Sequence, residues 1–145
     1  IESYLKCVSI LMNDGVGANG TRILKAETVQ QMLQDHLGDV RTFSGADPME
    51  RKIPAANPEL THPIEMMPGV KKGWGLSFQI LQDDLPHGRK AGSVWWAGLC
   101  NNYWQVDPTS GIATMILSQS FPFNDPKAIV PWITAEAEVY KSLRG

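Results

Sequence analysis

The five residues Asp107-Pro108-Thr109-Ser110-Gly111 limit the folds open to this chain. Pro108 presets φ for a turn and Gly111 closes it. On either side lie short stretches with strand character, Asn102 to Val106 and Ile112 to Ser118. A link this short joins antiparallel neighbours. Ser93 to Trp96 reads as a further strand. Trp74 to Leu81 reads as another, with Leu76, Phe78 and Ile80 alternating on one face. The polar stretch Gln82 to Gly92 connects those two.

Helical spacing brackets this strand-rich segment. Ile1 to Asn13 carries Leu5, Ser9 and Met12 at three- and four-residue steps, and Asp14-Gly15 ends the pattern. Thr28 to Leu37 predicts a second helix with the apolar stripe Val29, Met32 and Leu33. Glu27 or Thr28 stands at its start and Gly38 at its stop. Asn124-Asp125-Pro126 opens a last helix, with Asp125 as cap and Pro126 in the first turn. Its stripe is Ile129, Trp132, Ile133, Ala137, Tyr140 and Leu143, and Pro131 is expected to kink it or mark its true start. Residues 39–72 hold five prolines and little periodicity, and read as a long irregular loop. The expected fold is therefore α+β, an antiparallel sheet flanked by helices that cover one of its faces.

A chain of 145 residues with 43% hydrophobic content suffices for one packed domain. Scattered basic residues and a net charge of −2 argue against a nucleic-acid partner. No apolar run is long enough to span a bilayer, so no membrane partner is expected. Two cysteines, Cys7 and Cys100, make no disulfide framework and no zinc spacing. Reduced thiols in the cytoplasm are the expectation. The chain begins Ile1-Glu2-Ser3, with neither an initiator Met nor a signal peptide, and an upstream portion is expected to be absent.

Several motifs suggest chemistry that their context does not support. Gly15 to Gly20 matches a dinucleotide fingerprint, but it follows a helix, whereas the fingerprint must follow a strand. Ser3-Tyr4-Leu5-Lys6 matches the Ser-x-x-Lys of penicillin-recognising enzymes, in which a Lys amine takes the Ser proton. The Tyr motif that should follow is out of order, since the one match, Tyr140-Lys141-Ser142, comes last. His36, His62 and His87 sit near turns in no triad order and no metal spacing, and read as surface residues.

Gly92-Ser93-Val94-Trp95-Trp96-Ala97-Gly98 is followed by Asn101-Asn102-Tyr103-Trp104-Gln105-Val106-Asp107-Pro108 and then Gly111-Ile112-Ala113-Thr114-Met115. This succession resembles the class C β-lactamase-like serine esterases and acyltransferases. In that family a strand carries a three-residue box, and an aromatic–x–Val/Ile-Asp-Pro strand and turn follow. Gly73-Trp74-Gly75-Leu76-Ser77-Phe78 is similar to the family's preceding strand. Phe121-Pro122-Phe123-Asn124-Asp125-Pro126 is most similar to the ending of the fungal lovastatin-pathway acyltransferases.

The resemblance implies that residues 1–145 form the C-terminal portion of one serine β-lactamase or penicillin-binding-protein-like domain. Trp96-Ala97-Gly98 takes the place of the box, and the backbone N–H of Leu99 would donate to the oxyanion. Such a donor needs a fixed strand end but no particular side chain. Trp95, Phe123, Met66 and Met67 are the candidate substrate contacts. Trp96 stands where β-lactamases have Lys, so a β-lactam carboxylate would lose its charge partner. Ester or thioester chemistry on a small acyl substrate is the implied reaction. The implied partner is an upstream portion of the same protein carrying the Ser-x-x-Lys and Tyr motifs. No metal or organic cofactor is implied. A binding or interaction module that cannot complete the chemistry is the alternative.

Overall fold

The computed structural model describes residues 1–38, 57, 59–62, 67 and 69–143. The elements run α1 (Glu2–Ser9), a 3-10 turn (Ile10–Met12), α2 (Ala26–Met32), β1 (Lys72–Trp74), β2 (Gln79–Leu81), β3 (Val94–Gly98), β4 (Asn102–Asp107), β5 (Ile112–Ile116) and α3 (Pro126–Ser142). The strands form one antiparallel sheet in sequence order. Most of the irregular stretch expected at 39–72 lies outside the described residues; its last residue, Lys72, starts β1.

The register separates the two faces. Ile80, Val94, Val106 and Ala113 are successive partners on one face; Gln79, Trp95, Gln105 and Thr114 are successive partners on the other. Val8, Leu11 and Val29 bring the first two helical segments onto the Ile80 face, where they build an apolar core with Phe78. On the other face Trp132 of α3 joins Tyr103 and Phe123. Helices thus cover both faces, not the single face that element order suggested. The sheet's aromatic and β-branched residues alternate in pairs, and both sides need cover.

The expected strand Trp74 to Leu81 is two strands, because Asp35 and Met32 reach into the segment. The Asp35 carboxylate accepts from the Trp74 amide at 3.0 Å and from Gln82 Nε2 at 2.7 Å. The Met32 carbonyl accepts from the Leu76 amide at 3.1 Å. A Cβ on Gly73 would lie 2.4 Å from the Asp35 Cγ, and one on Gly75 would lie 2.2 Å from the Met32 oxygen. Both glycines are therefore required by close approach. The turn that results leaves Leu76 exposed while Phe78 and Ile80 are buried. The same contacts stop α2 at Met32, well before Gly38, since Asp35 is pulled toward β1.

In α3 the Asp125 side chain accepts from the Lys127 amide at 2.9 Å, and the helix starts at Pro126 and runs through Pro131. Its buried residues are Trp132, Glu136 and Tyr140; Ile133 and Leu143 of the expected stripe are exposed. The stripe turns toward Glu136 because Arg89 meets it. Arg89 Nε donates to Glu136 Oε1 at 2.7 Å, a second guanidinium nitrogen donates to Oε2, and His87 Nε2 contacts Oε1 at 2.8 Å. Bidentate pairing of this kind is what a buried carboxylate needs. No helix among the described residues is long and apolar enough to cross a membrane.

Candidate functional site

β1, β3 and β5 run in the same direction, so Trp74, Gly98 and Ile116 end at the same edge of the sheet. Leu76, Trp96, Leu99, Leu117 and Phe121 all lie exposed at or just beyond these strand ends. Trp96 stands edge-on to Trp74, with ring centroids 4.8 Å apart. An apolar rim thus borders the residues that the sequence singled out.

Within the rim the two tryptophans of β3 part company, as strand alternation requires. Trp95 is 2% exposed and faces α3; Trp96 is 36% exposed and faces the other way. Ala97 pairs with Tyr103 and packs against the cluster of Tyr103, Phe123 and Trp132. Phe123 is buried and stacked on Tyr103 at 5.9 Å, so it supports the strand end from below. Gly98 pairs with Asn102, and Leu99-Cys100-Asn101 closes the hairpin. No hydrogen bond among the described residues is donated by the Leu99 amide.

The hairpin tip is held by side chains that no motif had marked. Asn101 is fully buried with φ +57°, a conformation Asn tolerates. Its Nδ2 donates to the carbonyls of Ser120 at 3.0 Å and Pro122 at 2.8 Å. Its Oδ1 accepts from the Tyr103 hydroxyl at 2.8 Å and the Asp125 amide at 3.1 Å. Both ends of the amide are thereby satisfied. Ser118 adds two bonds, from its Oγ to the Cys100 carbonyl at 2.5 Å and from its amide to Asn102 Oδ1 at 2.7 Å. Burial pushes the Tyr103 phenol up to about 12, so it remains a hydroxyl donor to Asn101 at neutral pH. The signal for this clasp was the Asn101-Asn102 doublet where the turn after β3 enters β4, since Asn favours turns. Its partners 19 to 24 residues away could not be read from it.

The other candidates lie elsewhere. Met67 is tied by its carbonyl to Lys72 Nζ at 2.9 Å. Lys72 pairs with Leu81, and Leu81 bonds to Ser93, at the end of β3 away from Leu99. Met66 lies outside the described residues. Ser3 and Lys6 are exposed on α1. Lys6 lines a groove of about 450 Å³ with Cys7, Ile10, Gly17, Ala18, Asn19 and Ile23. Val16 and Arg22 bridge across the glycine-containing segment, which is a turn and opens no helix. His36 and His62 are exposed, while His87 is partly covered and bound to Glu136.

The arrangement offers one backbone donor on a braced strand end, beside exposed apolar side chains. A donor of that kind stabilises negative charge developing on a carbonyl oxygen, provided another group attacks the carbon.

No model of a known protein family matches the chain. It is 31% identical over 128 residues to the ML-236A carboxylate methylbutanoyltransferase mlcH of Penicillium citrinum, covering 86% of this chain and 28% of the relative. It is 30% identical over 127 residues to the monacolin J acid methylbutanoyltransferase of Aspergillus terreus, again 86% of this chain and 28% of the relative. The unliganded simvastatin synthase LovD from Aspergillus terreus superimposes with a TM-score of 0.73 at 27% identity, over 97% of this chain and 34% of that one. The chain spans under a third of the curated relatives it matches. It is homologous to these fungal acyltransferases and shares their β-lactamase-like α+β fold across the matched part.

Proposed function

Proceeding from that homology, we propose that the chain is the C-terminal portion of a serine acyltransferase or esterase domain of β-lactamase-like fold. The complete protein moves an acyl group from an ester or thioester, through a Ser-bound acyl-enzyme, to an alcohol or water. This chain contributes the oxyanion strand and part of the pocket wall. A nucleophile-bearing portion, on the same or a separate chain, contributes the Ser-x-x-Lys and Tyr groups.

One observation carries the reading: among the described residues the Leu99 amide donates no hydrogen bond at the end of β3, on a turn clamped by Asn101 and Ser118, in a chain whose relatives are acyltransferases. In the reaction a Ser oxygen attacks the donor carbonyl and the Leu99 N–H donates to the oxygen that gains charge. Trp96 and Leu99 present apolar surface to the acyl chain. The absence of a Lys at position 96 favours uncharged ester or thioester groups over a β-lactam carboxylate. Both cysteines are free, which supports a reducing, cytoplasmic setting.

A second reading is a binding or interaction module without catalysis. The exposed groove beside Cys7 and Ile10, together with Ser3 on the outer surface of α1, favours it. Turnover of a nitrophenyl ester separates the two. Activity only after mixing the chain with the upstream portion of its encoded protein is the expected result. Activity of the lone chain that vanishes in Ser3→Ala overturns the assignment. A soluble, cooperatively melting monomer with no activity in the mixture favours the module.

A further inference from the structure

Five side-chain atoms buried on the α3 side of the sheet have no protein hydrogen-bond partner among the described residues: Gln79 Oε1, Trp95 Nε1, Gln105 Nε2 and Oε1, and Arg89 Nη1. Each of the four residues is at most 3% exposed. Buried polar atoms are nearly always partnered, and one left bare costs about 1–3 kcal/mol.

Four of these atoms belong to one row of the sheet. Gln79, Trp95 and Gln105 are consecutive cross-strand partners, with Thr114 next in the row. The Trp132 indole N–H bonds to Thr114 Oγ1 at 3.3 Å, and the Arg89 guanidinium lies 5.5 Å from the centre of the Trp132 ring. Trp132 thus lies between the end of the row and the guanidinium.

The composition of the set selects its ligand. Trp95 Nε1, Gln105 Nε2 and Arg89 Nη1 only donate; the oxygens of Gln79 and Gln105 only accept. A metal cation would be repelled by Arg89 and has no carboxylate left to hold it, since both Glu136 oxygens are engaged by Arg89. An anion would meet Glu136 and two amide oxygens. A molecule that both donates and accepts, and that fits between packed side chains, meets the requirement. We propose that this layer is a binding site for internal water, bridging the polar row of β2, β3 and β4 to Arg89. Buried waters make about three hydrogen bonds each, so the five atoms call for at least two. Arg89, in the connection between β2 and β3, also holds Glu136 of α3, so the bridge links the row to that helix through the ion pair.

A crystal structure of the purified protein containing this chain, at a resolution that shows ordered solvent, is the direct test. The expected result is solvent density within hydrogen-bond distance of at least two of the five atoms. In solution, the Trp95 indole proton should give a magnetisation-exchange cross-peak with long-lived water, and Gln105→Met should abolish it while the fold's other amide signals persist. Direct bonding of the Trp95 indole to a Gln79 or Gln105 oxygen, with no solvent in the layer, overturns the proposal. So does the lack of a water cross-peak in the unaltered protein, a readout that stands even if the variant fails to fold.

Discussion

Against one face of the sheet Val8, Leu11 and Val29 bring hydrocarbon, whereas α3 brings Glu136 and Tyr140 to the other. The core of the first face is held by burial, which is non-directional and tolerates small shifts, with directed hydrogen bonds only where Asp35 and Met32 meet the β1–β2 segment. The second depends on geometry: Arg89 and His87 on Glu136, and Tyr140 on Asp107 at 2.8 Å. The difference teaches where each kind of damage falls. Truncation on the apolar face should lower stability in proportion to the volume lost. Removal of one polar partner on the α3 face should strand the other and cost more.

The sharpest way to break this contrast is Glu136→Ala, which leaves the Arg89 charge buried and unpaired. We expect a loss of about 3–5 kcal/mol in chemical denaturation. A loss no greater than that of an apolar truncation would erase the distinction. Val94→Ala on the opposite face should cost about 2 kcal/mol, and a much larger value would mean that the apolar face is as exacting as the polar one. Asp125→Ala removes the α3 cap and should cost about 1 kcal/mol, read as a lowered melting temperature.

The subtlest effect concerns pH. Burial pushes the Asp107 carboxyl up, but hydrogen bonds from the Ser110 and Lys90 amides and the Tyr140 hydroxyl outweigh it and hold the carboxyl below its ordinary value. A depressed carboxyl stabilises the fold at pH above its unfolded value, about 4, and that contribution is lost as pH falls through the folded value. Asp107→Asn should therefore flatten the acid limb of the stability curve. An unchanged acid limb would move the pH sensitivity away from the α3 face. Tyr140 is raised too, by burial first and then by its bond to Asp107. It should stay protonated in an alkaline phenolate titration of the folded chain.

The same contrast explains what could be read from residues alone. The hairpins through β3, β4 and β5 were legible because Asp107 to Gly111 carries its turn chemistry locally, and the aromatic and β-branched pattern runs without interruption between turns. The split of β1 from β2 was not, because it depends on Asp35 arriving from 39 positions away to reach the Trp74 amide. The buried face of α3 was misjudged for a related reason. A Glu in the middle of a helix reads as solvent-facing unless its Arg is known, and Arg89 lies 47 positions earlier. At the candidate site the box Trp96-Ala97-Gly98 and the position of Leu99 followed from the family resemblance. The clasp around them did not, since Asn101 is ordinary turn chemistry until its partners are seen.

That clasp ties the hairpin tip to the tail entering α3 through the carbonyls of Ser120 and Pro122. A change that displaces the backbone at Ser120 or Pro122 would pull Asn101, and with it the turn that carries Leu99. The orientation of the Leu99 amide is thus set partly by a segment remote from it in sequence, and a survey of mutations confined to the hairpin would overlook the cause.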